Sequence, residues 1–192
     1  GRDLENSWFS IFDKIFVATQ FHKNMIIKNR SIKKDKIKVV GFPLDIYELQ
    51  KRQKKLKMNL IAFTGRKSIE KGYDKILSLQ KAKYPIVVTL DVTKNKEEYY
   101  ELLSRCKYVI SPALQETFGI GIVEGMALGC IPIVPKKLSY PETVGKKYCL
   151  YSNIDMKKII DKLSSLELTI FRKQARKYQY QLVINKILKE LR

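Results

Sequence analysis

Two short apolar runs, KYVIS (Lys107 to Ser111) and IPIV (Ile131 to Val134), bracket a helical pattern, and no other stretch constrains the fold as much. Between them Ile120, Val123, Met126 and Ala127 recur at the spacing of one helix face. Gly129 follows, where a helix C-terminus favours a residue free to turn left-handed. The alternation extends along the chain. Strands are predicted near 14–18, 37–41, 59–64, 85–90, 107–111, 131–134 and 148–151. Helices are predicted over 20–30, 45–56, 69–81, 95–105, 120–128 and 154–165, with a long amphipathic helix near 168–190. Runs such as LIAFT and PIVVTL are short and apolar, as in strands buried on both faces. The fold class is therefore α/β, a Rossmann-like parallel sheet with helices on both faces. A chain of 192 residues, 45% hydrophobic, can bury one substantial core.

Ligands of such sheets bind beyond the carboxyl ends of the strands. There the sequence places Glu116, in the loop after a strand, and Glu124, eight positions on and inside the next helix. Between them lie the unpaired amides of the helix's first turn, roughly Phe118 to Gly121, which with the helix dipole attract anions. An anion cradle flanked by carboxylates suits a ligand with phosphate at its centre and hydroxyls at both ends, as in a nucleotide sugar. A second stretch, NLIAFTGRKSIEKGYDK (residues 59 to 75), gives a strand, then Gly65-Arg66, then Lys71-Gly72 at a helix start. Two cations on that loop can neutralise a departing pyrophosphate.

The E-x7-E spacing, followed by a strand and the pair Pro141-Glu142, resembles the "group 1" family of retaining glycosyltransferases with the GT-B fold. The order strand, Gly-Arg, Lys-Gly, helix is similar to the same family. The resemblance implies that Glu116 faces the donor sugar and that Glu124 holds the ribose. Arg66 and Lys71 would grip the diphosphate, and the segment Thr117, Phe118, Gly119 and Ile120, with Gly65, would complete donor binding. The catalytic group would be Glu116, Arg66 and Lys71, with a nucleoside-diphosphate sugar as donor substrate, no cofactor and no metal. Tyr140-Pro141-Glu142 either lines the cleft or starts a helix.

The resemblance also implies a domain plan. Residues 1–50 would be the last strand and helix of an acceptor domain plus linker, 51–166 the donor-binding domain, and 167–192 a helix crossing back. Most of the acceptor domain would be missing, so the chain would supply donor binding to a hexosyltransferase and be inactive alone. Asp45 is out of register with the family's linker motif and receives no catalytic role. His22, the one histidine, falls outside the motifs and reads as a surface or packing residue.

The three cysteines, Cys106, Cys130 and Cys149, show no CxxC spacing and read as reduced, partly buried thiols of a cytosolic protein. No apolar run reaches the roughly 18 residues of a membrane-spanning helix. The net charge of +19 arises from 38 basic and 19 acidic residues, and only eight of the basic ones are Arg. Such a balance attracts nucleic acid or an anionic membrane surface. CIPIVPKKLSYPE resembles the subset that mannosylates queuosine in tRNA, and ALQETFGIGIVEG is similar to phage-type DNA-base transferases. A nucleic-acid acceptor is therefore favoured, with lipid or saccharide at an anionic surface otherwise, and a cytoplasmic location that includes the membrane periphery. Two other readings remain: a basic module binding nucleic acid or lipid by charge alone, and a sugar-nucleotide 2-epimerase. The latter would carry catalytic His and acidic residues in its motifs, which a lone His22 does not supply.

Overall fold

A computed structural model describes residues 11–30, 32–149 and 168–192. The helix predicted over 154–165 lies outside the described residues. All strand pairs are parallel. β1 (Ile15–Val17) pairs with β2 (Ile37–Val39), with α1 (Gln20–Asn29) between them in sequence. After α2 (Ile46–Lys51) comes a four-stranded sheet in the order β4-β3-β5-β6, made of β3 (Met58–Phe63), β4 (Ile86–Val88), β5 (Cys106–Ile110) and β6 (Ile131–Ile133). Its connections carry α3 (Tyr73–Lys81), α4 (Thr89–Val92), α5 (Lys96–Arg105) and α6 (Ile120–Ala127). α7 (Leu168–Ala175) and α8 (Tyr180–Leu191) follow. This is the α/β class read from the sequence.

The core forms where the strands are apolar on both faces. Ile61, Ala62, Phe63, Tyr108, Val109, Ile110, Ile131 and Ile133 are buried in β3, β5 and β6. α6 lies against them with six consecutive residues, Ile122 to Ala127, buried. Gly125 permits that approach, because a Cβ there would stand 2.8 Å from Val109 Cγ1.

Several boundaries differ from the sequence reading, each for a local reason. The helix expected over 69–81 opens as a single 3-10 turn, Ile69–Lys71, and passes through left-handed Gly72 (φ 71°) before α3 begins. The helix expected over 45–56 stops at Lys51. The strand expected over 85–90 ends at Val88, where Thr89 enters α4 and its hydroxyl donates to Phe63 O. Of the strand expected over 148–151, Tyr148 closes a 3-10 turn and Cys149 is irregular, and residues 150–151 lie outside the described residues. The long final helix is broken by a 3-10 turn, Arg176–Tyr178, and an extended Gln179. There the backbone leaves the helix to bridge Leu44: Leu44 N donates to Tyr178 O and Tyr180 N to Leu44 O, both at 2.9 Å.

α8 runs back toward the two-stranded sheet. Val183 packs where a Gly41 side chain would be, and Glu190 pairs with Lys38 of β2 at 3.1 Å. Asp45 accepts from Glu48 N and so caps α2. His22 sits in the first turn of α1 with its amide donating to Thr19 Oγ1, and burial lowers its pKa from the usual 6.5.

Candidate functional site

Two loops meet beyond the carboxyl edge of the four-stranded sheet. One runs from β3 to α3 and carries Gly65, Arg66 and Lys71. The other runs from β5 to α6 and carries Glu116 to Gly119. They are held together by backbone: Leu114 N and Gln115 N both donate to Glu70 O, at 2.9 and 3.1 Å. Gly72 makes the contact possible, since a Cβ there would fall 2.4 Å from Pro112 O.

This brings Lys71 Nζ to Glu116 Oε2 at 2.9 Å, with both side chains about one-fifth exposed (20% and 19%). Arg66, 75% exposed, reaches Glu70 at 3.6 Å. Gly65 lies under the same loop, where a Cβ would stand 2.7 Å from Phe63 Cζ. Arg66, Lys71, Glu116 and Thr117 line a cleft of about 470 Å³, to which α1 contributes Phe21 and Met25. Two amides of the loop turn inward on its own carboxylate: Thr117 N donates to Glu116 Oε1 at 3.1 Å and Phe118 N at 3.4 Å. The Phe118 ring packs into the core against Phe42 and Tyr178. Gly119 is left-handed (φ 86°), and α6 begins there without a side-chain cap. The first bonds into α6 run from Ile122 N and Val123 N to Gly119 O, which leaves the Ile120 and Gly121 amides without an intrahelical acceptor.

Glu124 opens onto a second cleft. At 2% exposure it is buried, and three side chains of α5 hold its carboxylate. Lys96 Nζ and Tyr100 OH donate to Oε1 at 2.8 and 3.0 Å, and Tyr99 OH donates to Oε2 at 2.9 Å. Two bonds aim the start of α5: the N-cap Asn95 accepts from Glu98 N, and Glu98 accepts from Lys94 N, one residue before the cap. Burial, then the Glu124 charge, raises both tyrosine pKa values, that of Tyr99 strongly. Burial is the largest single influence on Lys96 and opposes its charge, but the bond and charge of Glu124, with Tyr100, together outweigh it and the pKa is raised. The cleft measures about 390 Å³ and is lined by Thr64, Thr89, Asn95, Tyr99, Gly121 and Glu124 among others. Ile120 and Gly121 border it, so the unpaired amides lie beside Glu124.

The candidate residues thus stand at one sheet edge: Arg66, Lys71, Glu116 and Thr117 line the first cleft, Ile120 and Glu124 the second, while Gly65, Phe118 and Gly119 line neither. The sequence reading missed Lys96, Tyr99 and Tyr100, whose i, i+3, i+4 spacing was a legible signal of one helix face. It also missed Thr64, whose hydroxyl would be 2.2 Å from a Cβ on Gly121. A larger cleft, about 660 Å³, runs along α5 by Arg52, Glu97, Glu101 and Arg105, whose charges pair with one another. It contains none of the candidate residues. Among the described residues, no group of three His, Cys, Asp or Glu is placed to hold a metal ion.

The profile of "Glycosyl transferases group 1" matches residues 77–182 of this chain. A stretch of 52 residues is 44% identical to a tRNA-queuosine alpha-mannosyltransferase of Drosophila melanogaster, covering 27% of this chain and 14% of that protein. Another of 38 residues is 55% identical to a GDP-Man:Man(3)GlcNAc(2)-PP-Dol alpha-1,2-mannosyltransferase of Candida albicans, covering 20% and 6%. A glycosyltransferase from Rickettsia africae superposes with a TM-score of 0.69 at 16% identity, over 96% of this chain and 66% of that one. Anabaena HepE in complex with UDP-glucose superposes with a TM-score of 0.70 at 14% identity, over 98% of this chain and 66% of HepE. The chain therefore spans about two thirds of these solved structures. It belongs to the group 1 glycosyl transferases.

Proposed function

We propose that this chain is the donor-binding half of a retaining glycosyltransferase, which transfers a hexose from a nucleoside-diphosphate sugar without a metal ion. The observation that carries the reading is the placement, along one sheet edge, of Arg66, Lys71 and Glu116 in one cleft and the unpaired amides of Ile120 and Gly121 in the neighbouring one. The diphosphate would lie across those amides, with Arg66 and Lys71 supplying positive charge as it departs. Its approach would draw Lys71 off Glu116 and release that carboxylate toward the anomeric carbon. The bond from that carbon to the phosphate oxygen then breaks. The acceptor oxygen bonds on the same face, and its proton passes to the departing phosphate. Glu124, steadied by Lys96, Tyr99 and Tyr100, would receive the ribose hydroxyls. Residues 1–50, 51–166 and 167–192 would be acceptor-domain tail, donor domain and crossing helix.

For the acceptor, two observations favour nucleic acid: the +19 charge and the Drosophila relative, named for modifying tRNA-queuosine. The Candida relative, named for a dolichol-linked acceptor, keeps lipid as the second choice. Among the described residues no helix is long and apolar enough to cross a membrane. On its three free cysteines we place the protein in the cytoplasm, including the membrane surface.

The test is transfer by the complete enzyme. Glu116→Gln should slow turnover about 100-fold or more while donor nucleotide still binds. An NMR spectrum should show the product with the anomeric configuration of the donor. Unchanged turnover in Glu116→Gln, or an inverted product, would remove this assignment.

A further inference from the structure

Glu142 stands outside both clefts, yet it holds one wall of the first. We infer that Glu142 is a positioning residue, a carboxylate latch that fixes the Phe21 and Met25 wall of α1 over the Glu116–Lys71 pair and so sets the room for the sugar end of the donor. The inference rests on the donor-site reading.

Both oxygens of Glu142 are used. Oε1 accepts from Phe21 N at 2.6 Å and Oε2 from Gln20 N at 2.7 Å. The third amide of that turn, His22 N, donates to Thr19 Oγ1 at 3.1 Å, and the Thr19 hydroxyl donates to Thr117 O at 2.7 Å. α1 has no acidic residue in its own first turn, so a carboxylate more than a hundred residues away in sequence supplies the negative charge its N-terminus favours. The other end of the latch is equally fixed. Pro141 starts a short helical turn, and Glu142 N donates back to Ser139 O at 3.0 Å. Tyr140 is fully buried, donates to Ser111 Oγ at 2.6 Å, and lies so close under Gly119 that a Cβ there would be 3.1 Å from its ring. Leu138, forced to a left-handed φ of 59°, lines the first cleft from the same segment.

Residues 138–142 therefore grip the loop carrying Glu116 from beneath and α1 from the side. A change in the grip moves Phe21 and Met25 relative to Glu116 and Lys71, and leaves the Glu124 cleft untouched. The sugar end of the donor is affected and the nucleoside end is not. Glu142 is absent from the lining of either cleft, which makes its role positioning and not catalytic.

The test compares wild type with Glu142→Ala, and with Glu142→Gln, which keeps one accepting oxygen and guards against a variant that fails to fold. Amide exchange is read by NMR, and affinity is measured for a nucleoside diphosphate and for its sugar ester. In Glu142→Ala, exchange at Gln20 and Phe21 should accelerate about tenfold or more while the β3 and β5 amides stay protected. The affinity ratio of sugar ester to diphosphate should fall about tenfold, with Glu142→Gln in between. Retained protection at Gln20 and Phe21 would overturn the latch. Lost protection with an unchanged ratio would overturn its role in placing the sugar. A wild type that binds no nucleotide sugar would instead overturn the donor reading and the sugar role together, while the exchange rates would still decide whether the latch exists.

Discussion

Glu124 keeps its carboxylate in a nearly closed setting, and its three donors differ in what they stand to lose. Removing the carboxylate would leave the half-buried Tyr99 hydroxyl without its acceptor, whereas Lys96, 59% exposed, would turn to water. Glu124→Ala should therefore destabilise the chain by about 2–3 kcal/mol in urea unfolding, whereas Lys96→Ala should cost under about 1 kcal/mol. Equal losses would mean that the ion pair, not the tyrosine bonds, holds the carboxylate. The thiols give a second expectation. Burial pushes Cys106 and Cys149 up to about 11 and Cys130 to about 12, from a usual value of 9.0. With their pKa raised, these groups keep their protons over the range from pH 9 to 11 where unfolded thiols lose them, so the native state is favoured below pH 9 and loses that advantage as pH rises. At pH 8 a thiol reagent should leave the folded chain unmodified and label it only in denaturant. Rapid labelling of the folded chain would contradict the burial. Pairing is where sequence stopped short at this scale. Glu116, Glu124, Arg66 and Lys71 could be singled out by type and spacing, but not the partner each would choose. The Lys71–Glu116 and Lys96–Glu124 contacts join residues 45 and 28 positions apart, which only the closed sheet brings together.

Strand and helix alternation was legible because short runs apolar on both faces admit few other architectures. β1, β3, β5 and β6 lie within a few residues of their expected places. What the sequence did not announce were the breaks. Gly72 could be seen at a helix start, but its left-handed turn is demanded by Pro112, which arrives from a different loop. The split between α7 and α8 likewise has no Pro or Gly to signal it, since the bridge from Leu44 imposes it. Two glycine substitutions test this packing. Gly72→Ala meets both a positive φ and a backbone oxygen 2.4 Å away, and should lower stability by about 2 kcal/mol or more, measured by thermal unfolding. Gly121→Ala would press on Thr64 Oγ1 and Tyr99 OH at the mouth of the Glu124 cleft. It should weaken nucleoside-diphosphate binding about tenfold or more and, by crowding Thr64 Cβ at 2.7 Å, cost about 1–3 kcal/mol in stability. Undiminished binding would move the nucleotide elsewhere.

At the scale of the whole molecule, a net charge of +19 gives every polyanion some affinity, and that attraction falls steeply with salt. A built site behaves differently, because amides fixed by fold and buried carboxylates are screened far less. The two contributions separate in a calorimetric titration of the 192-residue chain at moderate salt with UDP, GDP, ADP and inorganic triphosphate, beside the Gly121→Ala variant. The donor-site account predicts that one nucleoside diphosphate binds in preference to the others and to triphosphate, and that Gly121→Ala loses that preference. Equal, salt-sensitive binding of all four ligands, unchanged in the variant, would contradict it and leave a basic surface that binds by charge alone.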